Sequence, residues 1–220
     1  MNIDRAGWPF IAGALVPGAG LLAAGHPGLA VPWAALAAFM AYFFRDPDRN
    51  VPGEADVVVA PADGRVMVAG AAQPGVAPPG EWLQVSIFLS PLDVHVNRIP
   101  VGGVVRRVDR RPGRFLAAYR PESARDNART EIWIDTGREV VVVRQVVGVL
   151  ARRLVCRLGE GAVVRTGERF GLMKFGSRMD VFLPPSATLA VGTGERTRGG
   201  ETVIARLARP GDPRGALAGA

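Results

Sequence analysis

Reactive side chains are scarce in this sequence. It has one cysteine, Cys156, one lysine, Lys174, and two histidines, His26 and His95. A lone thiol excludes an intrachain disulfide and a cysteine-rich zinc site, and with them a disulfide-built secreted fold. Two histidines cannot build a three-histidine metal centre, and no H-E-x-x-H motif is present, so no metal is expected. Schiff-base chemistry on a side-chain amine would have to run through Lys174. No G-x-S-x-G elbow offers a hydrolase-type serine. An enzyme with this inventory must find its electrophile elsewhere.

Charge is plentiful but unevenly placed. The 220 residues, one domain's worth, carry 27 basic and 20 acidic side chains for a net charge of +7. Yet from Ala6 to Phe44 there is no charged residue. That run is too long for one helix and reads as two apolar stretches, Trp8–Gly25 and Leu29–Phe44, broken at His26-Pro27-Gly28. Each falls short of the about 20 residues a full span needs. Pro9, Pro17 and Pro32 call for shielding or a place at the membrane edge. The run is roughly double the apolar core of a signal peptide. It also outruns ordinary core helices, which makes a buried pair in a soluble core the weaker reading. Arg5 precedes it and Arg45 and Arg49 follow, so residues 1–44 are expected to form a helical hairpin at the cell membrane, on its cytoplasmic face. The hairpin would span or lie in one leaflet, with His26 capping its turn or facing headgroups.

Beyond Phe44 the composition changes. Residues 45–53 read as a linker by their Pro, Gly and charge content, and 54–210 as a β-rich catalytic domain. Strands are expected at Val57–Ala60, Arg65–Ala69, Trp82–Leu89, Val104–Val108, Glu131–Asp135, Glu139–Arg144, Val181–Leu183 and Thr202–Leu207. Val146–Cys156 is ambiguous and leans to strand. Short strands and 28 glycines indicate a mainly β fold, a compact barrel or sandwich. Weak internal echoes fit a hammerhead-like barrel: Val163–Glu168 with Leu189–Glu195, and Ala60–Val66 with Ile99–Val105.

The segment Arg106–Arg114 holds five arginines. It is either a solvated strand edge or a contact for an anionic surface. It lacks aromatic interleaving and any nucleic-acid motif, so anionic membrane headgroups are the expected partner and no nucleic acid is.

Three short constellations remain. Ala60-Pro61-Ala62-Asp63-Gly64-Arg65 is, taken alone, a turn after a strand. Ser90-Pro91-Leu92-Asp93-Val94-His95-Val96-Asn97-Arg98 carries His95, the one imidazole of this part of the chain available for general acid–base work. Its plain alternative is a satisfied core histidine. In Phe170-Gly171-Leu172-Met173-Lys174-Phe175-Gly176-Ser177-Arg178-Met179-Asp180, a glycine without Cβ precedes a hydroxyl. Glycine tolerates strained backbone and leaves its carbonyl open to the next side chain.

Together these three segments closely resemble phosphatidylserine decarboxylase, in the short form of many bacteria and archaea. Gly7-Trp8-Pro9-Phe10, Phe43-Phe44-Arg45-Asp46-Pro47 and Gln145-Val146-Val147-Gly148-Val149-Leu150-Ala151-Arg152-Arg153 extend the likeness. The resemblance implies self-cleavage between Gly176 and Ser177, giving a β chain of residues 1–176 and an α chain of residues 177–220 that stay associated. It implies a covalent pyruvoyl cofactor derived from Ser177. Phosphatidylserine would condense with it as an imine and leave as phosphatidylethanolamine. His95 is then the candidate proton donor at the substrate carbon, and Asp63 matches the aspartate of a self-cleavage relay. The family's second histidine, three residues after the first, is replaced here by Arg98. Either His95 does both jobs or cleavage is assisted differently, and Arg98 either holds substrate phosphate or carboxylate or is structural. Lys174 would contact headgroups, and Cys156 would be a small buried residue. A membrane-tethered carrier or adaptor barrel, and a decarboxylase of a related ether-linked serine lipid, are the alternatives. A homo-oligomer is left open.

Overall fold

The structure, a computed structural model, describes residues 2–149, 154–174 and 176–209. The uncharged run forms α1 (Trp8–Ala23) and α2 (Pro27–Phe43), packed together. Pro9 and Pro27 sit in the first turns, where a missing N–H leaves nothing unsatisfied. Gly25, at φ 77°, makes the break between the helices. His26 takes the N-cap position of α2, but its side chain makes no capping bond. Arg5–Ala23 is, among the described residues, the stretch long and apolar enough to cross a membrane, and only 22% of that window is buried. Trp8, Leu15, Val16, Leu22, Leu29 and Val31 are all exposed. A helix in a soluble core would bury them, so this apolar pair presents a surface suited to lipid.

The remainder is mostly β. In chain order the strands are β1 (Asn2–Ile3), β2 (Arg45–Asp46), β3 (Val57–Val59), β4 (Gly64–Ala71), β5 (Leu83–Leu89), β6 (Val96–Arg98) and β7 (Gly103–Arg111). After the short helix α3 (Ser123–Asp126) come β8 (Arg129–Asp135), β9 (Val140–Val146), β10 (Leu154–Cys156), β11 (Val163–Val164) and β12 (Arg169–Met173). Last are β13 (Ser177–Leu183), β14 (Thr188–Leu189), β15 (Arg196–Thr197) and β16 (Val203–Arg206). Eight strands, in the order β11-β7-β8-β9-β13-β5-β4-β15, form one sheet that curls into a half-barrel. Two three-stranded sheets, β10-β12-β6 and β14-β16-β3, accompany it, while β1 and β2 pair at the foot of the helices.

Alternation builds the core. Val85, Ile87 and Leu89 of β5, Ile132 and Ile134 of β8, Val141 and Val143 of β9, and Met179, Val181 and Leu183 of β13 face one hydrophobic cluster. The other face of β13 is buried too, but polar. Arg178 donates to Asp180 at 2.6 Å and to Ser86 Oγ at 2.9 Å, beneath the segment carrying Val76. A strand covered on both faces is held firmly, and β13 is the strand that begins at Ser177.

One expectation needs correction. Val146–Cys156 is not a single strand: β9 stops at Val146, Val147–Val149 leave the sheet, and β10 starts at Leu154, with residues 150–153 outside the described residues. A second Val-rich stretch continues the pattern of β9, so composition could not reveal the exit. Within residues 45–53, Arg45–Asp46 is a strand and Asp46 is ion-paired with Arg98 and Arg169. Residues 210–220 of the expected α chain also lie outside the described residues.

Candidate active site at a sheet crossover

β12 belongs to a small sheet and β13 to the large one, with only Lys174, Phe175 and Gly176 between them. The chain must turn hard to change sheets. Gly176 does so at φ 73°, in the left-handed region that favours glycine. Ser177 then opens β13, pairs with Leu89 and is fully buried. Its Oγ has no hydrogen-bond partner among the described residues. A buried hydroxyl without a partner is destabilising, which makes Ser177 a candidate for a functional position.

The Gly176 carbonyl is closely approached from the other side. Gly148 lies just past β9, the neighbour of β13, and a Cβ there would collide with that carbonyl oxygen. Sequence reasoning quoted Gly148 within a motif but gave it no role. The available signal was a glycine interrupting a valine-rich strand.

His95 is positioned by the turn between β5 and β6. The Asp93 carboxylate accepts from the Ser90 N–H at 2.8 Å, and the Asp93 carbonyl lies 2.9 Å from His95 Nδ1. A carbonyl can only accept, so Nδ1 carries the proton and Nε2 presents a bare lone pair. Nε2 has no partner among the described residues. The ring lies 4.2 Å from that of Phe43, the last residue of α2. Burial pushes its pKa down to about 4, and Arg45 adds to this against the opposing pull of Asp93. The imidazole is therefore neutral near pH 7. Its backbone carbonyl accepts from the Met173 N–H at 3.2 Å, tying it to the strand that leads into the Gly176–Ser177 bond.

A second buried polar pair adjoins these strands. Gln145 of β9 donates to Asn97 of β6 at 2.8 Å, leaving Asn97 Nδ2 and Gln145 Oε1 unpartnered. Both were overlooked as candidates. Their signal was a polar side chain inside an otherwise apolar run.

Asp63 lies elsewhere. Its carboxylate accepts from Arg49 at 2.9 and 2.8 Å and from the Gly199 N–H at 2.7 Å. Among the described residues no hydrogen bond joins it to His95 or Ser177. Arg65 and Arg178 flank Phe88 from opposite sides of β5, so the Asp63 end of β4 and the start of β13 are about 10 Å apart, two strand spacings. Arg98 is also engaged, donating to Asp46 and to the Pro47 carbonyl at 2.9 Å and to the Gly167 carbonyl at 3.1 Å. Cys156 is half-buried on β10 with its thiol pKa raised by burial, unlike a nucleophile's.

Comparison with known proteins adds the chemical context. The family model described as phosphatidylserine decarboxylase matches residues 36–205. The chain is 49% identical over 168 residues to a phosphatidylserine decarboxylase proenzyme of Pelodictyon phaeoclathratiforme, covering 76% of this chain and 79% of that protein. It is 44% identical over 185 residues to the proenzyme of Salinibacter ruber, covering 82% and 81% respectively. With the proenzyme of Paramagnetospirillum magneticum it shares 42% identity over 214 residues, 93% of this chain and 87% of the relative.

Proposed function

This chain belongs to the phosphatidylserine decarboxylase family and converts phosphatidylserine to phosphatidylethanolamine, and from that premise we propose that it makes its own electrophile by breaking the Gly176–Ser177 bond. The observation that carries this reading is the Ser177 hydroxyl, buried without a partner directly after a left-handed glycine. That orphaned atom fits a residue destined to become a pyruvoyl group. In the cleavage, Ser177 Oγ attacks the Gly176 carbonyl and its proton goes to a base, turning the amide into an ester. Loss of the Ser177 α-proton expels the Gly176 carboxylate and leaves dehydroalanine, whose hydrolysis releases ammonia. The bare Nε2 of His95 suits it for taking the hydroxyl proton.

In decarboxylation the pyruvoyl group supplies the carbonyl that takes up the substrate amine and accepts the electrons of the breaking Cα–carboxylate bond. The substrate's ammonium group sheds a proton as it condenses, and the Nε2 of His95, bare at rest, is placed to take up a proton and return it to Cα. Its buried site beside Phe43 keeps water from competing for that proton. Asp63 and Arg98 would take part only on leaving Arg49 and Asp46, the partners they hold in this structure.

In the same reading the half-barrel is part of a hammerhead-like barrel, split into a β chain of residues 1–176 and an α chain of residues 177–220. The chains stay together because β13 is hydrogen-bonded to β5 on one edge and β9 on the other. The helix pair holds the enzyme at the cytoplasmic face of the membrane, where Arg45 and Arg5 flank it.

Intact mass of the purified protein tests this. We expect two chains dividing at Gly176/Ser177, the smaller without a free amino terminus. Ser177→Ala should remain one chain and release no carbon dioxide. A single unsplit chain in an active wild-type preparation would sink the proposal.

A further inference from the structure

A cavity of about 540 Å³ lies beside the cleavage bond, lined by Arg110, Arg111, Arg129, Thr130, Val147 and Lys174 among others. We infer that it receives the phosphodiester of the serine phospholipid, an inference that rests on the decarboxylase reading and specifies where its substrate sits.

Charge is the first argument. The arginines of β7 and its flank divide into two kinds. Arg106 donates to Asp135 at 2.9 Å, and Arg107 pairs with Asp109 at 2.8 Å while lying over the Trp133 ring. Arg110 and Arg111 have no carboxylate partner among the described residues. In the β7–β8 ladder Arg111 stands directly opposite Arg129, and like charges so placed repel. Arg129 shares its carboxylate: Glu131 accepts from both Arg129 and Arg144 at 3.0 Å. The cavity wall thus holds a surplus of guanidinium charge, and a planar fork of donors suits a phosphate.

Position is the second. Val147 lines the cavity, and the next residue, Gly148, presses against the Gly176 carbonyl. Lys174 lines it from the other strand, three residues before Ser177 and so within about 11 Å along the chain. In a serine phospholipid the phosphate stands only two carbons and an oxygen from the amine. An anion held here therefore directs that amine toward the cleavage point.

The third is the direction of the lipid tails. Lys174 Nζ lies 4.6 Å from the Phe10 ring of α1, and Phe10 stacks on Phe44 at 5.3 Å. Lys174 thus links the cavity wall to the apolar helix pair, so a headgroup bound there can leave its acyl chains on the lipid side.

The test compares wild type with the double variant Arg110→Gln/Arg111→Gln, after mass measurement has established that both split. Glycerophosphoethanolamine, the headgroup of the product, is titrated into each. KM is measured for a short-chain phosphatidylserine that stays monomeric, with no membrane present. The variant should bind glycerophosphoethanolamine about tenfold more weakly and show a KM raised about tenfold, the loss of a charge-assisted hydrogen bond or two. Arg110→Gln alone should fall between. Equal binding and equal KM in the two proteins would overturn the assignment. So would a defect confined to anionic vesicles, which would make the patch a membrane-docking surface. Wild type that binds the headgroup but never splits would instead remove the cleavage reading and leave the cavity assigned.

Discussion

Ser177 and Gly148 place two demands on the same peptide group. The hydroxyl waits unpaired on one side of the Gly176 carbonyl, and the Gly148 backbone crowds the other. Gly148→Ala inserts a methyl against backbone, which cannot swing aside as a side chain can. We expect about 1–3 kcal/mol of lost stability and a chain that splits far more slowly, read by mass over time after synthesis. Splitting at the wild-type rate would show that the carbonyl has room to move. His95 gives a pH prediction. Its folded pKa of about 4 lies below the ordinary 6.5, so as pH falls the unfolded chain takes up the proton first. Stability attributable to a neutral His95 is complete above pH 6.5 and declines toward pH 4, by roughly 3 kcal/mol in all. His95→Phe should flatten that part of a denaturation-versus-pH curve, and an unchanged slope would assign it to another group. Ser177 and His95 stood out in the sequence as candidates for chemistry. Their partners did not, because the tautomer of His95 depends on a turn carbonyl and the partners of Asp63 and Arg98 come from residues 46–49.

Elements were legible where alternation was long. β5, β8 and β9 stand within two residues of their expected limits, since each alternates valine, isoleucine or leucine toward one face. β6 and β12 escaped notice because they are short and consist of motif residues, Val96–Arg98 and Arg169–Met173. The segment after α2 reads as a linker by its Pro, Gly and charge, yet Asp46 and Arg49 turn their charges inward. The side chains of Asp46 and Arg98 are only 7% and 8% exposed. Asp46→Asn should lower stability by about 3–5 kcal/mol by stranding a buried guanidinium. Asp48, 81% exposed, should tolerate the same change within about 0.5 kcal/mol. Thermal unfolding of the two variants measures the contrast. Equal melting temperatures would make residues 45–53 an ordinary tether.

Across the whole molecule the helix pair and the β part share a core. Phe43 and Phe44 are fully buried with Val94, Val96 and Leu172, the neighbours of His95 and of the crossover. Phe43→Ala should open the imidazole to water and raise its pKa toward the ordinary value, visible in an NMR titration of His95. A pKa still near 4 would show that the β part alone keeps the ring dry. The sequence suggested a helical hairpin but not this shared core, because periodicity reports the face that a helix buries and not the partner it buries it against.

The crossover also bears on how the protein can recover from denaturation. If the Gly176–Ser177 bond breaks as proposed, refolding before the break is a first-order search by one chain. Afterwards the central strand of the large sheet belongs to a different molecule from its two neighbours, β5 and β9. Reassembly then becomes a bimolecular encounter that slows with dilution, and the strand that must be found is the one the core is built around. On that proposal each molecule would fold spontaneously once, as a precursor, and be maintained afterwards chiefly by the slowness of its own unfolding.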